Sequence, residues 1–200
     1  MQGCRLIAAG LACRRGDNVL FAGLDCTLDP GDALLVTGPN GAGKSTLLRA
    51  LAGMLPPFTG SVDRRGALAF MGEHLALEPD WPLARAMRFW HALDGCASHD
   101  WAMWHEKLGI AHLADVPVRY LSTGQRKRAA IAIVGASRAP IWLLDEPLNA
   151  LDRDAVATLE RMIAQHRAGG GIVAVASHQG IALEKAQQIA LHRPTMDEVM

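Results

Sequence analysis

Gly38-Pro39-Asn40-Gly41-Ala42-Gly43-Lys44-Ser45 is the stretch on which the fold turns. It follows a short apolar run, Ala33–Thr37, and precedes a helix-patterned run, Lys44–Met54. The order strand, glycine-rich turn, helix is therefore expected. The glycines let successive backbone N–H groups turn inward, and the following helix aims its positive N-terminus at the same point. The pattern G-x-x-x-x-G-K-[ST] is a phosphate cradle, with Lys44 placed for the β- and γ-phosphates and the Ser45 hydroxyl for Mg2+. Gly38, Pro39, Asn40, Gly41, Ala42, Gly43 and Thr46 complete the candidate nucleotide site.

Outward from this loop, short β-like runs alternate with helical ones, which predicts an α/β fold with a largely parallel sheet. Leu6–Cys13 and Asn18–Leu28 read as an antiparallel pair turning at Gly16-Asp17. Ala67–Met71, Ile141–Leu144, Ile172–Ala176 and Gln188–Leu191 read as further strands. Helices are expected over Leu83–Leu93, Trp101–Leu108, Gly124–Ser137 and Arg153–Arg167, the last released by Gly169-Gly170-Gly171. The chain reads as one domain over residues 1–200. Within it, residues 75–125 carry Trp81, Trp90, Trp101 and Trp104 and no convincing strand, the pattern of an inserted helical subdomain.

Two further segments carry chemistry. Ile141-Trp142-Leu143-Leu144-Asp145-Glu146 is an apolar strand ending in adjacent carboxylates. Asp145 suits Mg2+, and Glu146, one residue on, suits the polarisation of an attacking water. Leu121-Ser122-Thr123-Gly124-Gln125 opens a basic helix, so Ser122 and Gly124 form either a plain helix cap or a second phosphate surface.

The phosphate loop, the L-S-x-G-Q segment, the apolar-D-E-P segment, Ala150-Leu151-Asp152 and Ala176-Ser177-His178 resemble, in this order, the motifs of ATP-binding-cassette ATPases over nearly the whole chain. The resemblance implies a P-loop ATPase fold with an antiparallel β subdomain and an inserted helical one, binding ATP and Mg2+ in a two-protomer sandwich. It implies that Ser122, Gly124 and Gln125 meet the nucleotide of the opposite protomer, that Asp152 communicates across the dimer, and that His178 works with Glu146 and Lys44 in catalysis. Leu121–Arg128 and Trp142–Asp152, with the short tail after His178, look like the ATP-binding subunits of the cytochrome c maturation (haem exporter) system. That likeness implies a separately encoded membrane-spanning partner and a place at the cytoplasmic face of the inner membrane. A soluble assembly ATPase of the iron–sulfur-cluster kind is the alternative.

Two positions depart from the family pattern. Cys13-Arg14-Arg15-Gly16 stands where an adenine-stacking aromatic is usual, leaving an arginine of this segment as the candidate plane. Glu73 stands where a Mg2+-sensing glutamine is usual, and is by that resemblance a third candidate at Mg2+ beside Ser45 and Asp145. Glu73, with at least one tryptophan of the helical stretch, is expected to serve a groove for a membrane-subunit helix.

Composition narrows the classes. Twenty basic residues balance twenty acidic ones, which argues against a broad nucleic-acid footprint. No apolar run approaches the roughly 18 to 20 residues of a membrane span, and no charged leader with an apolar stretch opens the chain. The four cysteines form no C-x-x-C pair, so reduced core thiols are expected.

Overall fold

The computed structural model describes residues 3–73, 76–94 and 98–192, and their side chains apart from those of residues 94 and 98–101. Cys96, His74 and the Trp101 side chain lie outside the described residues.

Five strands, β3 (Ala33–Thr37), β5 (Leu68–Met71), β6 (Ile141–Asp145), β7 (Ile172–Ala176) and β8 (Gln187–Ala190), form one sheet in the order β5-β6-β7-β3-β8. Every pairing in it is parallel. A parallel sheet is covered on both faces, so its central strands are apolar at every position. All five residues of β6 and all five of β7 are accordingly buried.

Alternation along these strands divides the interior. Ile141, Leu143, Ile172 and Ala174 pack with Leu47, Leu48 and Leu51 of α1 (Lys44–Leu51) and with the antiparallel sheet. Trp142, Leu144, Val173 and Val175 face the other way, onto α4 (Thr123–Ala136) and α5 (Arg153–Ala168). Leu83, Ala86 and Met87 of α2 (Leu83–Asp94) and Trp104 of α3 (Ser98–Lys107) belong to this second core. Among the described residues of 75–125 the only β pairing is an isolated bridge between Pro82 and Pro117.

The antiparallel sheet has three strands, β1 (Arg5–Arg15), β2 (Asn18–Leu28) and β4 (Thr59–Arg65), in the order β2-β1-β4. The third is an addition to the expected pair. Thr59–Arg65 has no apolar alternation because β4 is an exposed edge whose one half-buried apolar residue is Val62. The expected helix Lys44–Met54 is shorter by three residues. Gly53, at φ 71°, turns the chain left-handed and Met54 N–H returns to the Arg49 carbonyl, a glycine stop. Cys4, Cys13 and Cys26 are buried free thiols.

Three imidazoles sit in the apolar interior or against it. Burial lowers the pKa of His91 on α2, His105 on α3 and His166 on α5. His166 stacks on Trp142 at 3.8 Å. With folded values depressed, the unfolded chain takes up protons first as pH falls below about 6.5. The stability that depends on these three neutral imidazoles is therefore full above that pH and is lost on acidification. Thermal unfolding at pH 7.5 and pH 5.5 is expected to show a lower midpoint at pH 5.5, with a smaller drop in His91→Leu. An identical drop in that variant would remove His91 from the effect.

Candidate active site

Ligands in open parallel sheets bind beyond the carboxyl ends of the strands, and the candidate residues gather there. A cavity of about 390 Å3 takes Asn40, Gly41, Gly43, Lys44, Ser45 and Thr46 from the loop after β3. Glu73, Glu146 and His178 reach it from beyond the ends of β5, β6 and β7, and Arg15 and Asn149 complete its wall.

Backbone constraints set the loop. Gly38 has φ 140°, and a Cβ there would collide with the Leu191 carbonyl oxygen. Gly43, at φ 102°, caps α1 and lies against Leu20 and Phe21, at 3.2 and 3.3 Å from a virtual Cβ. Only glycine meets both conditions. Pro39 accepts the turn bond from Ala42 N–H at 3.2 Å, and Ala42 is fully buried.

Lys44 is 6% exposed. Its ammonium donates to the Gly38 carbonyl at 2.9 Å and lies 3.3 Å from Glu146 Oε1. The other oxygen, Glu146 Oε2, is 2.8 Å from His178 Nδ1. An ionised carboxylate only accepts, so the proton of that bond sits on Nδ1. Lys44, Glu146 and His178 thus form one polar chain. Glu146 holds φ 46°, a left-handed conformation that costs a non-glycine residue roughly 1–3 kcal/mol. Its N–H donates to the Ala176 carbonyl at 2.8 Å, and its own carbonyl accepts from Lys127 Nζ at 3.0 Å.

Asp145 is fully buried, and among the described residues neither carboxylate oxygen has a protein donor at hydrogen-bond geometry. Burial pushes its carboxyl above the ordinary range, opposed by the nearby Ser45 hydroxyl. A buried carboxylate without donors is costly unless a cation meets it. Hydroxyl and carboxylate oxygens are hard donors of the kind Mg2+ takes together with phosphates, so Ser45 and Asp145 fit that ion. Among the described residues no cluster of three or more His, Cys, Asp or Glu forms a metal cage.

A second group of candidates lies apart from this cavity. Ser122 caps α4: its hydroxyl accepts from Gln125 N–H at 3.2 Å while the Gln125 side chain accepts from Ser122 N–H at 2.8 Å, a reciprocal capping box. A Cβ on Gly124 would stand 2.6 Å from the Ala150 carbonyl oxygen. Asp152 caps α5 through Ala155 N–H at 2.9 Å and pairs with Arg128. None of Ser122, Gly124, Gln125 or Asp152 lines the cavity that holds Lys44.

Lys127 is the residue that sequence reasoning missed. It is 4% exposed although it lies in the basic run Arg126-Lys127-Arg128. Burial pulls its ammonium pKa down, opposed by the negative charges of Asp145, Glu73 and Glu146. Its helical spacing to the buried Ala130, Ile131 and Val134 was the available signal.

The model of the ABC transporter family matches residues 21–149 of this chain. The chain belongs to that family. A cytochrome c biogenesis ATP-binding export protein CcmA from Novosphingobium aromaticivorans is 50% identical over 191 residues, covering 96% of this chain and 97% of its own. One of the same name from Paramagnetospirillum magneticum is 41% identical, covering 92% of each. The chain is thereby also a member of that CcmA group. A putative ABC transporter ATP-binding protein from Pyrococcus furiosus shares the fold at 22% identity, with a TM-score of 0.81 over 94% of this chain and 97% of the other. As an ABC ATP-binding chain it binds and hydrolyses ATP.

The base side of this ABC site is sparse. Of the two arginines in that segment, Arg14 has its guanidinium 4.5 Å from the Phe58 ring centre. Neighbours on a strand point to opposite faces, and Arg15 is the arginine that lines the cavity. No aromatic is among the described lining residues. Most of the binding energy is expected from the triphosphate and Mg2+, so ATP and GTP affinities are expected to differ by less than tenfold, about 1.4 kcal/mol. Calorimetric titration of both nucleotides checks this; a hundredfold preference for ATP would show a base contact elsewhere.

Proposed function

We propose that this chain is the ATP-hydrolysing subunit of a haem-handling export complex for c-type cytochrome biogenesis, working as a nucleotide-sandwich homodimer. On this reading it docks peripherally, at the cytoplasmic face of the inner membrane, on a membrane-spanning subunit encoded separately. The observation that carries the catalytic part is the Glu146 carboxylate, shared between Lys44 and His178 at the mouth of the phosphate loop. The export role rests on the 50% identical relative's name. That name does not favour the soluble iron–sulfur alternative. No described helix is long and apolar enough to cross a membrane, in keeping with a peripheral position.

The mechanism follows from the residues. The loop N–H groups of Gly41 and of Gly43 to Ser45, at the N-terminus of α1, receive the phosphates, and Lys44 leaves the Gly38 carbonyl to reach them. Ser45 and Asp145 would hold Mg2+, which neutralises phosphate charge when bound. Glu146 orients the attacking water, and His178 keeps the Glu146 carboxylate aimed. Ser122, Gly124 and Gln125, outside their own chain's cavity, serve the partner's nucleotide, with Asp152 beside them through the Gly124–Ala150 approach.

Coupling runs through residues 75–125, which we read as the inserted helical subdomain. Gly72, Met71, Leu77 and Trp90 line an apolar cavity of about 340 Å3, and Trp81, Phe89 and Trp90 line a neighbouring one. Trp104 is core instead. Gly72 thus faces the apolar groove while Glu73, next in the chain, faces the phosphate cavity. That adjacency supports Glu73 as the polar link to a docked helix.

Two experiments test this. Glu146→Gln should slow hydrolysis about 10²-fold or more while retaining ATP and accumulating dimer on size-exclusion chromatography; Lys44→Ala should instead weaken phosphate binding itself. Near-normal turnover by Glu146→Gln would remove Glu146 from the mechanism. In the second, the ratio of partner-stimulated to basal ATPase rate should shift at least threefold in Glu73→Gln. An unchanged ratio would leave Glu73 a strand-end residue and place coupling elsewhere.

A further inference from the structure

Lys127 sits in the second turn of α4, on the stripe that sends Ala130, Ile131 and Val134 into the core. Its aliphatic stem is buried with them, and its ammonium emerges at the end of β6. There its one identified hydrogen bond goes to the Glu146 carbonyl, at 3.0 Å. The only other donor identified at that carbonyl is Asn149 N–H, at a long 3.4 Å. The Glu146 peptide units are thus gripped from both sides: N–H by Ala176 on β7, carbonyl by Lys127 on α4. Between these two bonds the residue holds φ 46°, and its carboxylate reaches both Lys44 and His178.

We infer that Lys127 is a positioning residue for ATP hydrolysis: it ties α4 to the Glu146 backbone and holds Glu146 in the left-handed conformation that aims its carboxylate. The inference rests on the reading of Glu146 as the water-orienting group. A charge-assisted bond to a carbonyl is stronger than a neutral one, which suits a clamp on a strained residue. Without it, the Glu146 carbonyl keeps only the long Asn149 contact, and the strained φ can relax. The carboxylate then swings from Lys44 and His178, and a misplacement of about 1 Å is enough to cost one to two orders of magnitude in rate.

The same tie has a second consequence. The N-terminus of α4 carries Ser122 and Gly124, which the proposed sandwich presents to the partner's nucleotide. Lys127 lies one turn further along the same helix. A displacement of α4 on dimer closure is therefore passed through Lys127 to the catalytic carboxylate of its own chain. Engagement of one site and alignment of the other share one rigid element.

The test measures kcat, KM for ATP and thermal midpoint for the full-length wild type, Lys127→Met, Lys127→Arg, Glu146→Gln and Lys127→Met/Glu146→Gln. Lys127→Met should lower kcat about tenfold with KM within twofold, because the phosphate loop is untouched. Lys127→Arg should recover most of kcat. In the Glu146→Gln background, Lys127→Met should add no further loss, since both changes remove one function. Should Lys127→Met not fold, Lys127→Leu, which also has no donor for the Glu146 carbonyl, takes its place with the same expectation. A kcat within twofold of wild type would overturn the proposal. A parallel loss of kcat, ATP affinity and thermal midpoint would overturn it too, by making Lys127 a stability residue. A fully additive loss in the double variant would also overturn it. Near-normal hydrolysis by Glu146→Gln alone would instead strike the underlying reading of Glu146.

Discussion

The Glu146 carboxylate, 3.3 Å from the Lys44 ammonium and 2.8 Å from the His178 ring, is the contact through which distant parts of the chain meet. Lys44 opens α1 after β3, Glu146 follows β6 and His178 follows β7. Their meeting depends on three strands ending at the same level. The sheet register supplies that level: Val36 of β3 lies opposite Ala176 of β7, which also lies opposite Asp145 of β6. A slip of one residue in either pairing would turn the strand's buried faces over and move the carboxylate out of reach of the lysine.

The register is in turn held by burial on both faces of the sheet. Ile141 and Leu143 face the core shared with α1, while Trp142 and Leu144 face the one shared with α4. The site is therefore built on the most buried part of the molecule, and the groove lined by Trp90 and Gly72 lies at the sheet's edge strand, β5. Glu73, just beyond that strand, lines the phosphate cavity while its neighbour Gly72 lines the groove. On the proposed reading, chemistry sits on the rigid centre of the sheet and docking at its edge.

Much of this was legible in the residues because each signal had one physical solution. Gly38 and Gly43 read as a phosphate loop since no other residue tolerates their φ values and close contacts. The run Ile141–Leu144 read as a buried core strand since burial on both faces explains four consecutive apolar residues. Legibility failed where tertiary context reversed a local signal. Thr59–Arg65 is polar on both faces and pairs as an edge strand only because β1 offers it a free side. Lys127, in a basic run, reads as a solvated charge, and only the fold puts it beneath Glu146. Nothing in the sequence says which of Arg14 and Arg15 meets the nucleotide; neighbours on a strand point to opposite faces, and the fold puts Arg14 over Phe58 and Arg15 at the cavity.

The most direct test of this account is a crystal structure of Glu146→Gln with ATP and Mg2+. The account predicts two chains with each triphosphate between the Gly38–Ser45 loop of one and Ser122 and Gly124 of the other. Lys44 should have left the Gly38 carbonyl for the phosphates, and Asp145 and Ser45 should lie at the cation. Nucleotide held within a single chain, with Ser122 and Gly124 facing solvent and Lys44 still on the Gly38 carbonyl, would contradict it.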